Sequence, residues 1–181
     1  MKFRVSTAAG RHRYDGQVTD QGATLATASK SLFRRECAVT ADIAATPERI
    51  WQLLTDVHDT VRWNSTLTSM GGTIGPGGTV KMEVPEAPGT VFKIEVTTFT
   101  PPREMVWTQG NPIMFRGVRT YRLTPLGADL TRFEMTEVFS GLVLPMAASR
   151  LPDFTPIFER YAADLKAEAE QGPAYHPRTT G

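Results

Sequence analysis

Residues 114–139 read MFRGVRTYRLTPLGADLTRFEMTEVF, and this stretch decides the fold that we predict. Its apolar residues recur at every second position, which is the period of a β-strand with one buried face. A break at residues 125–128 separates two such runs and predicts an antiparallel hairpin. Arg119 shares the apolar face of the first strand, and Glu137 shares that of the second. An ionised side chain on a buried face needs a partner, water or a ligand, because burying it alone costs many kcal/mol.

The register of this hairpin decides how close the two charges lie. A turn centred near Gly127 places Tyr121 opposite Phe133 and leaves Arg119 diagonal to Glu137, whereas a shift by one residue places the charges directly opposite each other. We expect an ion pair in the wall of a pocket, where it anchors an otherwise apolar ligand. Arg119→Ala should then weaken an anionic or carbonyl-bearing ligand far more than a purely apolar one. The alternative is a pair that satisfies itself at the open end of the sheet without any ligand.

Composition bounds the class of protein. With 181 residues, 40% hydrophobic and 22% charged, the chain suits one globular domain. The formal charge is +1 and no Lys/Arg run exceeds two residues, so the charge pattern of a nucleic-acid or anionic-membrane binder is missing. The single cysteine, Cys37, excludes an intramolecular disulfide and alternates with apolar residues as if buried. Without a secretory signal or a membrane-length apolar run, the sequence predicts a cytoplasmic protein with no integral membrane association.

Periodicity and breaks predict the order of elements. Residues 34–43 alternate like a half-buried strand, and Thr46 with Pro47 marks a helix start, followed by a second helical turn at 57–63. Gly- and Pro-rich breaks then delimit an antiparallel meander, which gives about seven strands in all. Residues 154–170 predict a long amphipathic helix. Residues 1–33 form either an edge strand around Phe3 and Val5 or a partly ordered extension, and residues 171–181 predict a disordered tail.

This order resembles the helix-grip fold of the START-like or SRPBCC superfamily, and within it the polyketide cyclase/dehydratase-like branch. The resemblance covers residues 34–170 and rests on TPERIWQLLTD at 46–56, RWNSTL at 62–67, GPGGTVKMEV at 75–84, FTPPREMVWTQG at 99–110, the Arg/Glu hairpin and the terminal helix. It implies an α+β fold in which a curved antiparallel sheet wraps around the C-terminal helix, with two short helices after the first strand. It also implies a cavity between sheet and helix; members bind lipids, sterols, polyketides or plant hormones, and a minority are enzymes.

We therefore expect a hydrophobic small molecule, lipid-like, aromatic or polyketide-like, to bind in this cavity without a metal or other cofactor. Arg119, Glu137 and Tyr121 would orient it, and residues 142–151 would form a lid. The ligand-binding candidates are Trp63, Met82, Phe92, Ile94, Trp107, Phe115, Arg119, Tyr121, Phe133, Met135, Glu137, Leu144, Phe158 and Tyr161.

Two other functions compete with simple binding. In a cyclase/dehydratase-type enzyme, Glu137 would act as general acid or base while Arg119 polarises a carbonyl, although an adjacent cation favours the ionised carboxylate. In a co-chaperone-like interaction module, a large outer sheet surface would bind another protein, but the outer face of residues 116–136 alternates in a solvent-facing, polar pattern. No histidine spacing matches a metal motif, no G-x-S-x-G occurs, and the oligomeric state is not indicated.

Overall fold

The computed structural model describes residues 25–147 and 152–171. These residues form an α+β fold in which one antiparallel sheet packs against a C-terminal helix. The strands are β1 (Leu25–Ser31), β2 (Arg34–Ile43), β3 (Ser69–Gly72), β4 (Thr79–Glu83), β5 (Phe92–Thr100), β6 (Glu104–Asn111), β7 (Phe115–Gly127) and β8 (Leu130–Ser140). The helices are α1 (Pro47–Thr55), α2 (Thr60–Trp63), α3 (Leu144–Ala147) and α4 (Thr155–Glu170).

The sheet has the order β1-β2-β8-β7-β6-β5-β4-β3, so the described part of the chain has eight strands rather than the predicted seven. The strands that periodicity does not reveal are the two edges. β3 contains Gly71 and Gly72, which sequence reasoning interpreted as a break, yet it pairs with β4. β1 pairs with β2 through a segment with little apolar alternation, since an edge strand with exposed side chains needs no buried face. The predicted strand around Phe3 and Val5 and the predicted tail at 172–181 lie outside the described residues.

The two short helices follow the first half-buried strand, as predicted. The Thr46 hydroxyl accepts a hydrogen bond from the Arg49 N–H at 3.2 Å and caps α1, and Pro47 occupies its first turn. The second helix is shorter than predicted because the Asp56 carboxylate accepts the backbone N–H groups of His58 and Asp59, at 3.0 and 3.2 Å. These bonds hold the chain in a turn until Thr60, where α2 begins.

The C-terminal half of α4 is fastened by polar side chains. The Lys166 ammonium donates to the Asp42 carbonyl at 2.5 Å, and Glu170 accepts the N–H of Ala44 at 2.8 Å. Glu168 pairs with Arg62 of α2 at 2.6 Å. The helix thereby presents one buried stripe to the sheet, formed by Phe158, Tyr161, Ala162, Leu165 and Ala169.

Candidate ligand-binding site

An ion pair lies on the inner face of the sheet, where β7 and β8 are hydrogen-bonded to each other. Arg119 and Glu137 are directly opposed, so the turn is centred one residue later than the register that leaves them diagonal. Both Nε and Nη2 of Arg119 donate to Oε2 of Glu137, at 3.2 and 2.6 Å. The side chains are only 16% and 7% exposed, so this is a largely buried pair.

The surroundings keep the cation charged and the nearby phenols neutral. Burial lowers the pKa of Arg119, but the carboxylate of Glu137 outweighs it and the pKa of Arg119 lies above its ordinary value. Burial raises the pKa of Tyr121 and, more strongly, that of Tyr161. The Arg119 guanidinium also lies 5.5 Å from the ring centre of Phe158, a distance at which a cation is attracted to an aromatic face.

A cavity of about 260 Å³ opens beside this pair, between the inner face of the sheet and the N-terminal half of α4. Two of its lining residues, Glu86 and Pro152, are exposed and mark the mouth, which lies between the loop that follows β4 and the start of α4. Eight of the residues predicted from the sequence lie on its wall: Met82, Phe92, Phe115, Arg119, Met135, Glu137, Phe158 and Tyr161. The wall is otherwise mostly apolar, which is usual for small-molecule sites.

Six other predicted residues do not line this cavity. Four of the six are aromatic and belong to one cluster. Tyr121 and Phe133 lie 6.2 and 6.1 Å from Tyr161, and Trp107 lies 5.0 Å from Tyr121, as distances between ring centres. The rings of Trp63 and Tyr161 make a T-shaped contact with their centres 5.8 Å apart. The four rings pack within this cluster instead of bordering the cavity. The six residues are buried in the core: Trp63, Ile94, Trp107, Tyr121, Phe133 and Leu144.

The remaining residues of the cavity wall were not among the sequence candidates. Phe139 continues the inward alternation of β8 beyond Glu137, so that signal was available in the sequence. Most of the others lie in loops or at the start of α4, where alternation gives no direction. They are Thr66, Leu67, Val84, Glu86, Ala87, Gln109, Phe139, Pro152, Phe154 and Ile157.

The predicted lid, residues 142–151, is described only as far as Ala147. In that part Leu144 is fully buried and begins the short helix α3, while Met146 is 80% exposed. Neither residue lines the cavity. A role of this segment in closing the cavity stays a prediction.

The sequence profile of the family described as "polyketide cyclase / dehydrase and lipid transport" matches residues 34–170. The chain belongs to this family. The matched residues run from the start of β2 to the end of α4 and so include every element that contributes to the cavity wall. Membership in the polyketide cyclase/dehydrase family confirms the resemblance drawn from the sequence motifs. No curated protein matches this chain in sequence.

Solved structures of low sequence identity share the fold. A conserved protein of unknown function from Enterococcus faecalis is 16% identical, with 86% of this chain and 82% of that chain covered and a TM-score of 0.60. A START superfamily protein from Mycobacterium smegmatis is 19% identical over 75% of this chain and 97% of its own, with a TM-score of 0.56.

A third structure is the di-domain ARO/CYC protein StfQ from the steffimycin biosynthetic pathway, 10% identical with a TM-score of 0.61. The alignment covers 77% of this chain and 52% of StfQ, so this family member spans about half of the di-domain protein. These likenesses confirm the predicted helix-grip fold. Among the described residues, no helix has the length and apolar character needed to cross a membrane. In the same residues, no three His, Cys, Asp or Glu side chains come together as a set of metal ligands.

Proposed function

We propose that this protein binds an apolar small molecule with one neutral polar group in the cavity between the sheet and α4. The observation that carries this proposal is the Arg119–Glu137 pair, which contributes hydrogen-bonding groups to a wall that is otherwise mostly apolar. The family description, which includes cyclases, dehydrases and lipid transport, supports a small hydrophobic ligand.

The cavity volume limits the size of the enclosed part of the ligand. An apolar cavity of about 150 Å³ accommodates benzene, so the 260 Å³ found here suits roughly ten non-hydrogen atoms. At about 0.8 kcal/mol per atom, which lies between the limits for fragments and drug-sized ligands, this gives a Kd of about 1 µM. A longer molecule would extend through the mouth past Glu86.

The charge balance of the pair selects the type of polar group. Glu137 neutralises Arg119, so an anionic group meets repulsion from the carboxylate and a cationic group meets repulsion from the guanidinium. Oε2 of Glu137 receives one N–H from Nε and one from Nη2. A guanidinium has five N–H donors, so about three are not engaged by Glu137. A ketone or hydroxyl oxygen can accept from them without disturbing the balance.

The proposal is tested by calorimetric titration with three rings of equal size: naphthalene, 2-naphthol and 2-naphthoate. We expect 2-naphthol to bind about tenfold more tightly than either of the others, because it alone supplies a neutral polar group. Arg119→Met should abolish this preference and leave naphthalene binding nearly unchanged. Arg122→Met is the matched control, since Arg122 lies on the same strand with its side chain on the opposite, outer face of the sheet.

Two results would contradict the proposal. One is a failure of all three compounds to bind at millimolar concentration, which would mean that the cavity is not a binding site for such rings. The other is tightest binding of 2-naphthoate, which would mean that Glu137 does not neutralise the site. Native mass spectrometry of the gently purified protein adds an independent readout, because a stoichiometric bound molecule would reveal the natural ligand class directly.

Catalysis of the cyclase/dehydratase type is a second candidate, favoured by a carboxylate next to a cation in the wall of the cavity. In this reaction Arg119 would polarise a ligand carbonyl and Glu137 would move a proton at the adjacent carbon. A Glu137→Gln variant that keeps its affinity for 2-naphthol but no longer converts a poly-β-ketone substrate would support it. An unchanged rate in that variant would remove Glu137 from the reaction.

A further inference from the structure

Large apolar side chains are exposed together at the end of the sheet where the cavity opens. Their exposed fractions run from 50% for Phe33 to 80% for Met146. They make up six of the ten large hydrophobic residues that are exposed in the described part of the chain. We call this set the apolar rim; its members are Leu32, Phe33, Ile113, Met114, Leu142 and Met146.

Backbone hydrogen bonds hold the three segments of the rim together. The N–H of Leu142 donates to the carbonyl of Ile113 at 3.0 Å, and that of Val143 donates to Met114 at 3.0 Å. The N–H of Gly141 donates to the carbonyl of Phe33 at 3.4 Å. The β1–β2 hairpin, the β6–β7 hairpin and the chain after β8 therefore form one continuous edge, although they are distant in sequence.

Basic residues surround the rim on both faces of the sheet. Arg34 and Arg116 flank Ser140 in one row across β2, β8 and β7, and they lie on the outer face. Lys30 and Arg35 oppose each other on the inner face of the β1–β2 hairpin. Two acidic residues lie among these four cations: Glu36, which pairs with Arg34, and Asp153, which lies near Lys30. The local net charge is therefore 4 − 2 = +2.

The rim also adjoins the wall of the cavity. Phe115, which lines the cavity, directly follows Met114 of the rim, and its ring stacks on Phe139 at 5.8 Å. Both rings are inward-facing members of strands whose ends carry the rim. A surface that covered the rim would therefore lie at the end of the sheet that carries the cavity.

We propose that the apolar rim is a docking surface for an anionic lipid bilayer. Its side chains would enter the headgroup region while the four surrounding cations contact lipid phosphates. The observations favour a bilayer over a protein partner, because the rim is a narrow edge of loop and hairpin tips with cations on both sides rather than a flat apolar face or groove. The whole-chain charge of +1 conceals this site, since the fold brings Arg116 beside the three cations of residues 30–35. The proposal does not depend on what the cavity binds.

Co-sedimentation with vesicles tests the apolar contribution. The full chain should bind vesicles of equal parts phosphatidylcholine and phosphatidylglycerol, and binding should weaken as salt is raised. The double variant Leu142→Ser with Met146→Ser should partition about tenfold less, because two exposed apolar side chains no longer enter the bilayer. The matched control is Leu126→Ser with Leu130→Ser, since these residues are 44% and 40% exposed in the β7–β8 hairpin at the opposite end of the sheet.

The ionic contribution has its own pair of variants. Arg35→Gln with Arg116→Gln should lower binding to the anionic vesicles by about thirtyfold, since each cation near the surface contributes about fivefold. The same variant should hardly change binding to pure phosphatidylcholine. Arg122→Gln with Arg132→Gln removes two cations at the far end of the outer face and should change neither.

Three results would overturn the proposal. The first is no binding of the unmodified chain to anionic vesicles, and the second is an equal loss of binding in the rim and control variants. The third is that the unmodified chain does not bind vesicles but forms a dimer on size-exclusion chromatography, and that the rim variant is a monomer. The last result would assign the rim to self-association instead. Circular dichroism melting of each variant verifies that the losses do not come from unfolding.

Discussion

The Arg119–Glu137 pair should show strong energetic coupling in a double-mutant cycle, because it is buried and its partners are directly opposed. Two unit charges about 4 Å apart attract by about 4 kcal/mol at an effective dielectric constant of about 20. The cavity gives water some access to Arg119, whose side chain is 16% exposed, so the observable coupling is smaller. We expect Arg119→Met and Glu137→Leu each to lower the free energy of unfolding by about 2 kcal/mol, because each leaves the other charge unpaired.

The double variant should lose only about 1 kcal/mol, since it replaces the pair with apolar groups of similar length. The resulting coupling is about 3 kcal/mol. Urea unfolding followed by tryptophan fluorescence measures all four proteins, and Trp107 lies opposite Arg119 on the neighbouring strand as a local probe.

A matched cycle on the outer face of the same sheet provides the control. Arg122 and Glu104 form an ion pair at 2.7 Å, but their side chains are 56% and 32% exposed. An exposed pair of this kind contributes about 0.2 to 1 kcal/mol. If the inner pair showed no more coupling than the outer one, the argument that burial strengthens Arg119–Glu137 would be refuted, and with it the role of this pair as a rigid anchor in the cavity.

Three further outcomes follow from single side chains. Burial, reinforced by the charge of Glu137, raises the pKa of Cys37 from 9.0 to about 11. At pH 8, iodoacetamide should therefore alkylate Cys37 about hundredfold more slowly in the folded protein than in the urea-unfolded chain. Equal alkylation rates, measured by mass spectrometry, would contradict this. Gly117→Val should weaken 2-naphthol binding about tenfold. A Cβ at Gly117 would already lie 3.1 Å from the side chain of Gln109 and 3.3 Å from Phe139, so the larger side chain would push both residues into the cavity that they line. Unchanged affinity in calorimetric titration would show that Gln109 and Phe139 move away from the cavity instead. A hydrogen bond from Arg132 holds the pKa of Asp42 below its ordinary value of 3.8. The ionised carboxylate therefore stabilises the fold above pH 3.8, and this contribution is lost as the pH falls through the lower pKa of the folded state. The unfolding free energies of wild type and Asp42→Asn should differ at pH 7 and converge in acid.

The inner and outer faces of the β7–β8 hairpin were predictable from the sequence, whereas its register was not. Alternation fixes which side chains share a face, and it correctly placed Arg119 and Glu137 inside. The position of the turn depends on local backbone geometry, and the pairing shifts between Pro125 and Gly127 in a way that alternation does not encode. Since direct opposition and diagonal placement differ by one residue in the turn, the closest contact of the site could not be derived from the pattern.

The extent of the cavity also escaped sequence reasoning. Periodicity identifies an inward side chain but not what packs against it. The sequence pattern therefore predicts the same environment for Tyr121, Phe133 and Met135. In the structure the first two pack into an aromatic cluster with Tyr161, while Met135 borders open space. The edge strand β1 was missed for a related reason, because its side chains are mostly exposed and carry no apolar signature.

The way α4 is attached explains why the cavity lies at only one end of the helix. Its C-terminal half, residues 163–170, buries Leu165 and Ala169, and a small side chain such as Ala169 lets a helix approach a sheet closely. Polar bonds from Lys166, Glu168 and Glu170 hold this half to the elements beside it. The cavity beside Arg119 lies along the N-terminal half, where Ile157, Phe158 and Tyr161 line it. The N-terminal half is held at the mouth by the more exposed Arg160–Glu86 pair at 3.4 Å, and an exposed ion pair contributes little stability. Movement that admits a ligand is therefore expected at the N-terminal turn of α4, on the same side of the molecule as the apolar rim.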